Sequence, residues 1–490
     1  MFAPRVYFWR AIYGVLDLPW LRRMLANRYR ALERNRGSGA ARKFLRRTLF
    51  SLSLNRLRTY EGHVPLEAWL AFWEISRSVD SSGQVPRRAA RAREKLRIGH
   101  IGTIADFPFF PRKLFCDMPA GIELHHFETA REMTPEHHLH HTEATSVHNV
   151  TLRWDNNLPS DGIASQPDYL HRVEDLAARI NNAQLDLLLV SEAGRELYDM
   201  LDRIDVPCIA DMTVSCNACF HPNIDIQFYI HAMKEYVVQD DRLFCRDSMR
   251  PLRRPPFVVP YCLLFDTTGY DGPPVPWAKR NHTLLFHGRL VKAAQPPFLK
   301  MVLDLLEEDS NLTWLLYGTE SHDALNTIRT QAKRRGVEGR VDFRGKFTLE
   351  RNPGGEIIDP AWHRFLSDMR HAKLEPTPFP MASGSARFES YTAGLPCVNL
   401  AIRPGPRHSR SAGETLIDIP AFYTPSATVT DHAAYFRTAL HLLHEPELAA
   451  KVIAEQREVV QRLGSPRCFW QQILDAHARW LAQRTHSSPT

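Results

Sequence analysis

The sequence lacks any apolar run that could cross a bilayer, because about 20 consecutive residues are needed and the longest candidate, residues 255–265, is short and broken by prolines. The first residues also lack the charged-then-apolar order of a secretory signal, since Arg5, Arg10 and Asp17 interrupt them. Eight cysteines in 490 residues are too few for a disulfide framework. We therefore expect a globular, cytoplasmic protein of two or three domains.

Potential metal ligands occur in two groups that lack the spacing of a closed zinc site. One group joins Glu136 and Glu143 to four histidines, His137, His138, His140 and His141. The other is the pair Cys216 and Cys219, which has CxxC spacing but no second pair to complete a tetrahedral site. We therefore expect no metal, no cofactor and no redox chemistry.

Acidic residues are scarce in the first 60 residues, which contain fourteen Lys or Arg against Asp17 and Glu33. This segment carries +12, whereas the whole chain carries +7, so the remainder is acidic at −5. Aromatic residues such as Tyr7, Trp9 and Trp20 alternate with the arginines, which predicts helices with an apolar and a cationic face. Two interpretations stay open: an anchor to anionic lipid at the inner membrane face, or a helical extension packed on the protein body. No zinc-finger or helix-turn-helix pattern accompanies the arginines, so we expect no nucleic-acid partner.

Residues 371–400 carry the pattern most informative about function. A Pro-rich turn follows a short strand, and the small residues Ser383, Gly384 and Ser385 open a helix. The first amides of a helix have no intrahelical partner and lie at the positive end of its dipole, so they can hold a diphosphate. Glu389, one turn later, can reach ribose hydroxyls. The segment therefore predicts a nucleotide site.

This segment resembles the donor-sugar site of GT-B glycosyltransferases, especially the "glycosyl transferases group 1" family. In that family a Glu is followed five residues later by Gly and then by Pro-Val. Glu389 and Gly394 keep this spacing, and Pro396 follows. The family's other acidic residue falls on Met381, which leaves the mechanism open.

The same segment is also similar to exostosin-like transferases, which place a Ser and an Arg just ahead of the Glu. Ser385 and Arg387 stand in roughly these places. Both resemblances imply the same fold and donor class, with Arg387 among the residues that bind the donor. The group 1 resemblance favours retention of configuration, whereas the exostosin resemblance leaves the stereochemistry open.

A second segment, residues 281–292, predicts an apolar strand that ends at Gly288 and Arg289 and is followed by a helix. Group 1 transferases have a Gly-Arg-Leu strand end here and a Lys several residues further on. The resemblance implies that Arg289 and Lys292 contact the donor diphosphate, although Lys292 comes earlier than the family's spacing. The resemblance covers roughly residues 280–400.

The resemblance implies an α/β protein of GT-B fold, with two Rossmann-like domains facing across a cleft. A strand and glycine turn at Leu96–Gly102 follow a basic segment, and a Gly/Pro-rich stretch lies near residue 270. We therefore expect a basic helical extension at 1–95, an acceptor domain at 96–266, a linker at 267–280, a nucleotide-sugar domain at 281–465, and a helix at 466–490 that crosses back to the first domain.

The resemblance implies transfer of a sugar from a nucleotide-sugar donor to a glycan, lipid-linked or polysaccharide acceptor. An inverting enzyme needs a general base in the first domain. The candidates near predicted strand ends are His100, Asp106, Asp211 and His221. Two alternatives stay open: a GT-B-like protein that has lost catalysis and serves as a binding or scaffolding module at a membrane surface, and a sugar-nucleotide epimerase of the same fold.

Overall fold

The computed structural model describes most of the chain, with gaps. The described residues are 15, 18–52, 66–79, 85–90, 94–102, 118–128, 146–149, 169–190, 200–212, 221–229, 236–239, 242–245, 257–260, 269–270, 272–273, 275–319, 322–347, 358–401 and 419–487. Asp106, the histidine group at residues 137–141 and the pair Cys216 and Cys219 therefore lie outside the described part.

Helices and strands alternate along most of the described chain. The helices are α1 Pro19–Leu52, α2 Leu66–Val79, α3 Tyr169–Asn182, α4 Leu290–Ala293, α5 Pro296–Glu308, α6 His322–Arg334, α7 Pro360–His371, α8 Ser385–Ala393, α9 His432–His444, α10 Pro446–Leu463 and α11 Pro466–Ser487. Over the described residues, none of these helices combines the length and the apolar character needed to cross a bilayer.

Seven parallel strands form one sheet in the N-terminal half. The strands of this half are β1 Leu96–Gly102, β2 Ile122–Glu128, β3 Ser146–Asn149, β4 Leu187–Val190, β5 Cys208–Asp211, β6 Ile226–Tyr229, β7 Tyr236–Gln239, β8 Arg242–Cys245 and β9 Phe257–Pro260. The sheet order is β3-β2-β1-β4-β5-β6-β9, while β7 and β8 form a separate antiparallel pair. β4, with the sequence Leu-Leu-Leu-Val, is buried throughout, as expected for a parallel strand covered on both faces.

Helices cover both faces of this sheet. Alternate side chains of a strand point to opposite faces, and Ile101 packs in one cluster with side chains of α1, α2 and α3. Ile98 packs on the other face, against Phe469, Trp470 and Ile473 of α11. The last helix of the chain therefore lies on the sheet of the N-terminal half.

A second sheet forms in the C-terminal half. Its strands are β10 Thr283–Arg289, β11 Thr313–Thr319, β12 Val341–Gly345, β13 Glu375–Pro376, β14 Cys397–Leu400 and β15 Thr428–Val429. They form two three-stranded groups, β10-β11-β12 and β13-β14-β15. A parallel bridge from Leu284 to Leu374 and a hydrogen bond from Leu285 N to Leu374 O at 2.9 Å join the groups. The combined order is β12-β11-β10-β13-β14-β15, with all pairs parallel.

In both sheets the strand order changes direction next to the first strand, and each such place is a topological switch point. In a doubly wound sheet, ligands bind outside the carboxyl ends of the strands at such a point. The reversal lies between β1 and β4 in the N-terminal half and between β10 and β13 in the C-terminal half. The second switch point brings His287, Gly288 and Arg289 next to Glu375.

The described part of the expected linker packs on the C-terminal half. Tyr270 is buried against Trp362 of α7, with ring centroids 4.9 Å apart. Arg280, also buried, donates to Ala372 O at 3.3 Å and to Gly394 O at 3.0 Å. These contacts fix the entry into β10 and the end of α8, where Gly394 has a left-handed φ of 74°.

Candidate active site

The carboxyl end of β10 runs unusually close to β11. Gly288 has a φ of 128°, which favours glycine, and it pairs with Gly318 of β11. A Cβ atom at position 318 would lie 2.0 Å from the carbonyl oxygen of Gly288. The two glycines therefore allow the backbone to turn directly from β10 into α4.

We expect Gly318→Ala to destabilise the protein by about 1–3 kcal/mol, because the new methyl group forces a backbone shift in a packed sheet. Chemical denaturation measures this difference. The matched control is Gly339→Ala, since a Cβ atom there meets nothing within 4 Å, and we expect a change of about 0.5 kcal/mol or less. Equal stability of the two variants would contradict this description of the strand end.

Two cations lie at this strand end. Arg289 is exposed as the last residue of β10, and Lys292 follows in α4. Lys292 Nζ donates a hydrogen bond to the carbonyl oxygen of Ala382 at 3.0 Å, next to the small-residue loop. Lys292 comes earlier in the sequence than the corresponding lysine of the group 1 family, but it still contacts the loop that the sequence predicted as the diphosphate site.

The loop ends at the first residues of α8. Ser383 is buried, Ser385 is exposed, and Gly384 precedes the helix with φ −94° and ψ −90°. Within the described residues no side chain caps this end of α8. The first amides of the helix thus keep the orientation in which a phosphate can accept hydrogen bonds from them.

A buried histidine lies between two glutamates beneath this loop. His287 Nε2 is 3.0 Å from Glu389 Oε2 in a hydrogen bond, and His287 Nδ1 is 3.4 Å from Glu375 Oε1 in an ion pair. Glu375 also accepts a short hydrogen bond from Ser390 Oγ. Burial alone lowers the pKa of His287, but the charge of Glu375 and the hydrogen-bonded Glu389 outweigh it and raise the pKa to about 10. His287 is therefore an imidazolium that holds Glu389 in place.

This cluster predicts a pH dependence of stability. The pKa of His287 rises from 6.5 in the unfolded chain to about 10 in the folded protein, so its contribution is complete below pH 6.5 and is lost as the pH rises towards 10. We expect the free energy of unfolding of the wild type to fall over this interval more than that of His287→Gln. Denaturant unfolding at intervals across it measures both slopes, and parallel profiles would contradict the assignment.

Arg387 lies in the core rather than at the loop surface. Its guanidinium donates to Asn399 Oδ1 at 2.7 Å and lies 4.5 Å from the ring centroid of Phe422. Asn399 in turn accepts from Thr377 and donates to Tyr391. Arg387 therefore fixes α8 against β14, and donor binding by Arg387 stays a prediction.

The other switch point contains a chain of buried polar side chains. His100 Nδ1 lies 3.0 Å from His126 Nδ1, and His126 Nε2 lies 3.3 Å from Glu128 Oε2. Burial lowers the pKa of His126 to about 3, so this ring is neutral at physiological pH. A neutral imidazole has one nitrogen that donates and one that accepts, so His126 can link His100 to Glu128 in a chain of hydrogen bonds.

The other candidate bases lie in different surroundings. Asp211 ends β5 at the carboxyl edge, fully buried, where it accepts from Gln227 Nε2 at 3.0 Å. His221 lies at the amino edge instead, 3.5 Å from Asp202, which precedes β5, with its ring against Trp73. His221 therefore lies at the edge of the sheet opposite the switch point, and its role as a base stays a prediction.

One group among the described residues could offer three ligands to a cation: His282, Asp309 and His444. Asp309 Oδ2 lies 3.1 Å from His444 Nε2 and 2.5 Å from His282 Nε2. Lys373 Nζ lies 3.3 Å from the other nitrogen of His282, and its positive charge opposes a cation here. The arrangement is that of an ion-pair cluster joining α5, β10 and α9.

Sequence reasoning missed His287, Glu375, His126 and Glu128. His287 directly precedes the predicted Gly288-Arg289 strand end, and a polar residue in a buried strand is the signal that could have identified it. Glu375 carries the same signal in the short strand β13. Their pairing depends on the order of strands in the sheet, which the sequence does not reveal.

No known protein-family model and no curated protein sequence matches the chain. Among solved structures, it is similar to a mutant O-GlcNAc transferase of Thermobaculum terrenum, with 12% identity over 94% of this chain and 85% of that chain at a TM-score of 0.55. It is less similar to Anabaena HepE in complex with UDP and glucose, with 13% identity, 78% and 100% coverage and a TM-score of 0.46. A glycosyltransferase of Rickettsia africae gives 8% identity, 79% and 99% coverage and a TM-score of 0.47. The chain has the GT-B glycosyltransferase fold.

Proposed function

We propose that the protein is a glycosyltransferase that moves a sugar from a nucleotide-sugar donor to a glycan, lipid-linked or polysaccharide acceptor. One observation carries this proposal. At the switch point between β10 and β13, a strand-end arginine, a lysine bound to the loop and the uncapped start of α8 converge within the described residues. Two cations beside a helix N-terminus form a site for a diphosphate.

The chemistry follows from the charge that develops as the glycosidic bond breaks. The departing nucleoside diphosphate takes the bonding electron pair, so its leaving oxygen becomes more negative in the transition state. Arg289, Lys292 and the amides around Ser383, Gly384 and Ser385 stabilise that charge from fixed positions. Because these groups supply the positive charge, we expect turnover to survive treatment with EDTA.

Glu389 holds the ribose in this proposal. A carboxylate close to a diphosphate is repelled by it unless its own charge is compensated. The imidazolium of His287, 3.0 Å away, provides this compensation and fixes Oε2 of Glu389. The other carboxylate oxygen then accepts hydrogen bonds from ribose hydroxyls.

The acceptor side belongs to the N-terminal half. For an inverting reaction we assign the general base to His100, because this buried histidine lies in β1 at the N-terminal switch point and is hydrogen-bonded to His126. A retaining reaction requires no such base. Comparing the anomeric configuration of product and donor by NMR distinguishes the two.

Turnover without acceptor tests the proposed function. The purified protein is incubated with UDP-, GDP-, ADP- and CMP-sugars, and the released nucleotide and free sugar are quantified. We expect slow hydrolysis of one donor, because water replaces the acceptor. Conversion of the sugar while it stays on the nucleotide would identify an epimerase, and no change in any donor that nevertheless binds would favour the inactive scaffold.

A further inference from the structure

The chain exposes several large apolar side chains at and just before the start of α1. Six large hydrophobic residues are exposed in the described part of the chain, and four of them lie close together: Val15, Leu18, Trp20 and Met24. Trp20 is 58% exposed and Met24 is 52% exposed. They are one helical turn apart, so they project from the same side of α1.

Exposed arginines surround these two side chains. At 100° per residue, Arg23 and Arg34 project on one side of Trp20 and Met24, and Arg28 projects on the other. Glu33, the one acidic residue between positions 18 and 36, projects towards the partly buried side instead. We call the surface formed by Trp20, Met24 and these arginines the α1 docking face.

This face is not the one that holds α1 on the protein. Leu21, Leu25 and Tyr29 form the buried side and pack in one cluster with Phe72 of α2. An ion pair from Arg22 to Glu74 adds to this packing. The helix therefore has one buried apolar side that packs against α2 and a second apolar patch, Trp20 and Met24, that is more than half exposed.

We propose that the α1 docking face binds an anionic lipid bilayer. An interfacial helix places a few aromatic and aliphatic side chains at the acyl boundary while Arg side chains contact the headgroups, and the α1 docking face has this arrangement. The segment 1–60 adds a charge of +12, and each basic residue near an anionic surface strengthens binding by about fivefold. Trp20 and Met24 can insert into the apolar part of a bilayer. A purely electrostatic partner such as RNA offers no apolar layer for them.

The proposal is independent of sugar transfer. It places the N-terminal half at a membrane surface. Vesicle binding and donor turnover are measured separately, so either proposal can be wrong without the other. With the transferase activity, it favours the lipid-linked acceptor among the acceptors proposed above.

Vesicle co-sedimentation of the full chain without nucleotide tests the proposal. Vesicles of phosphatidylcholine alone are compared with vesicles that contain phosphatidylglycerol. We expect binding to the anionic vesicles only, and we expect Trp20→Ala/Met24→Ala and Arg23→Glu/Arg28→Glu each to weaken it by about tenfold or more. Thermal midpoints equal to that of the wild type establish that these exposed substitutions leave the fold intact.

Matched controls remove the same residue types elsewhere. Ile358→Ala deletes another exposed apolar side chain, and Arg329→Glu/Arg334→Glu reverses two arginines on α6. We expect these variants, and Arg289→Ala, to bind vesicles like the wild type. No binding to anionic vesicles, or binding that Trp20→Ala/Met24→Ala leaves unchanged, would overturn the proposal.

Discussion

Arg289→Ala is expected to lower the acceptor-independent release of nucleoside diphosphate by about a hundredfold to a thousandfold, the cost typical of removing one group that stabilises transition-state charge. Arg289 is exposed at the end of β10, so its removal leaves the core intact and the thermal midpoint unchanged. The loss appears in both KM and kcat, because Arg289 contacts the diphosphate of the bound donor and this contact strengthens as the charge on the leaving oxygen grows.

Two further variants sharpen this experiment. Arg329→Ala, on the exposed side of α6, removes an arginine away from the switch point and is expected to keep wild-type turnover. Lys292→Gln removes the positive charge but keeps a side-chain donor for the carbonyl of Ala382. A loss of turnover in this variant therefore reports the charge of Lys292 and not its contact with the loop. Wild-type turnover in Arg289→Ala would contradict the assignment of the diphosphate site.

His287→Ala is expected to destabilise the protein by about 3–5 kcal/mol, because removing one partner of a buried ion pair leaves an uncompensated charge. In this variant the carboxylates of Glu375 and Glu389 face each other without the imidazolium. Denaturant unfolding near neutral pH measures the loss, and we expect His363→Ala, at an exposed position on α7, to change stability by about 0.5 kcal/mol or less.

A second substitution tests the electrostatic cause. Adding Glu375→Gln to His287→Ala removes the buried one of the two negative charges, so we expect the double variant to be more stable than His287→Ala alone. If the double variant loses stability additively instead, the two residues are not coupled through their charges, and the interpretation of His287 as an imidazolium is wrong.

Local patterns predicted the elements that carry the site. The strand that ends at Arg289 and the helix that starts at Ser385 both follow from short stretches of sequence. Apolar runs with Gly at their ends, and small residues ahead of a helix, are signals that need no tertiary information. The prediction of a GT-B fold is confirmed.

Side-chain roles that depend on distant partners could not be predicted in this way. Arg387 lies in the predicted helix α8, but its side chain contacts Asn399, twelve residues away in β14. His221 is close in sequence to a strand, but it lies at the amino edge of the sheet. Whether a loop residue lies at the amino or the carboxyl edge of the sheet depends on the path of the chain between strands. That path is set by contacts between residues distant in sequence.

The N-terminal extension illustrates the same limit. The sequence left open whether its arginines contact lipid or are solvated on a helix packed against the protein body. The structure shows that α1 packs through Leu21, Leu25 and Tyr29 while Trp20 and Met24 remain exposed. The buried side shows that α1 packs on the protein body, and the exposed side motivates the vesicle experiment.

The central claim is that the switch point between β10 and β13 binds a nucleotide. A thermal-shift series with UDP, GDP, ADP and CMP tests it most directly, because a ligand at 100 times its Kd stabilises the folded state by about 2.7 kcal/mol. We predict that one nucleotide raises the midpoint of the wild type and that Arg289→Ala and Glu389→Ala each abolish this shift. No shift with any nucleotide, or a shift that persists in both variants, would contradict the claim.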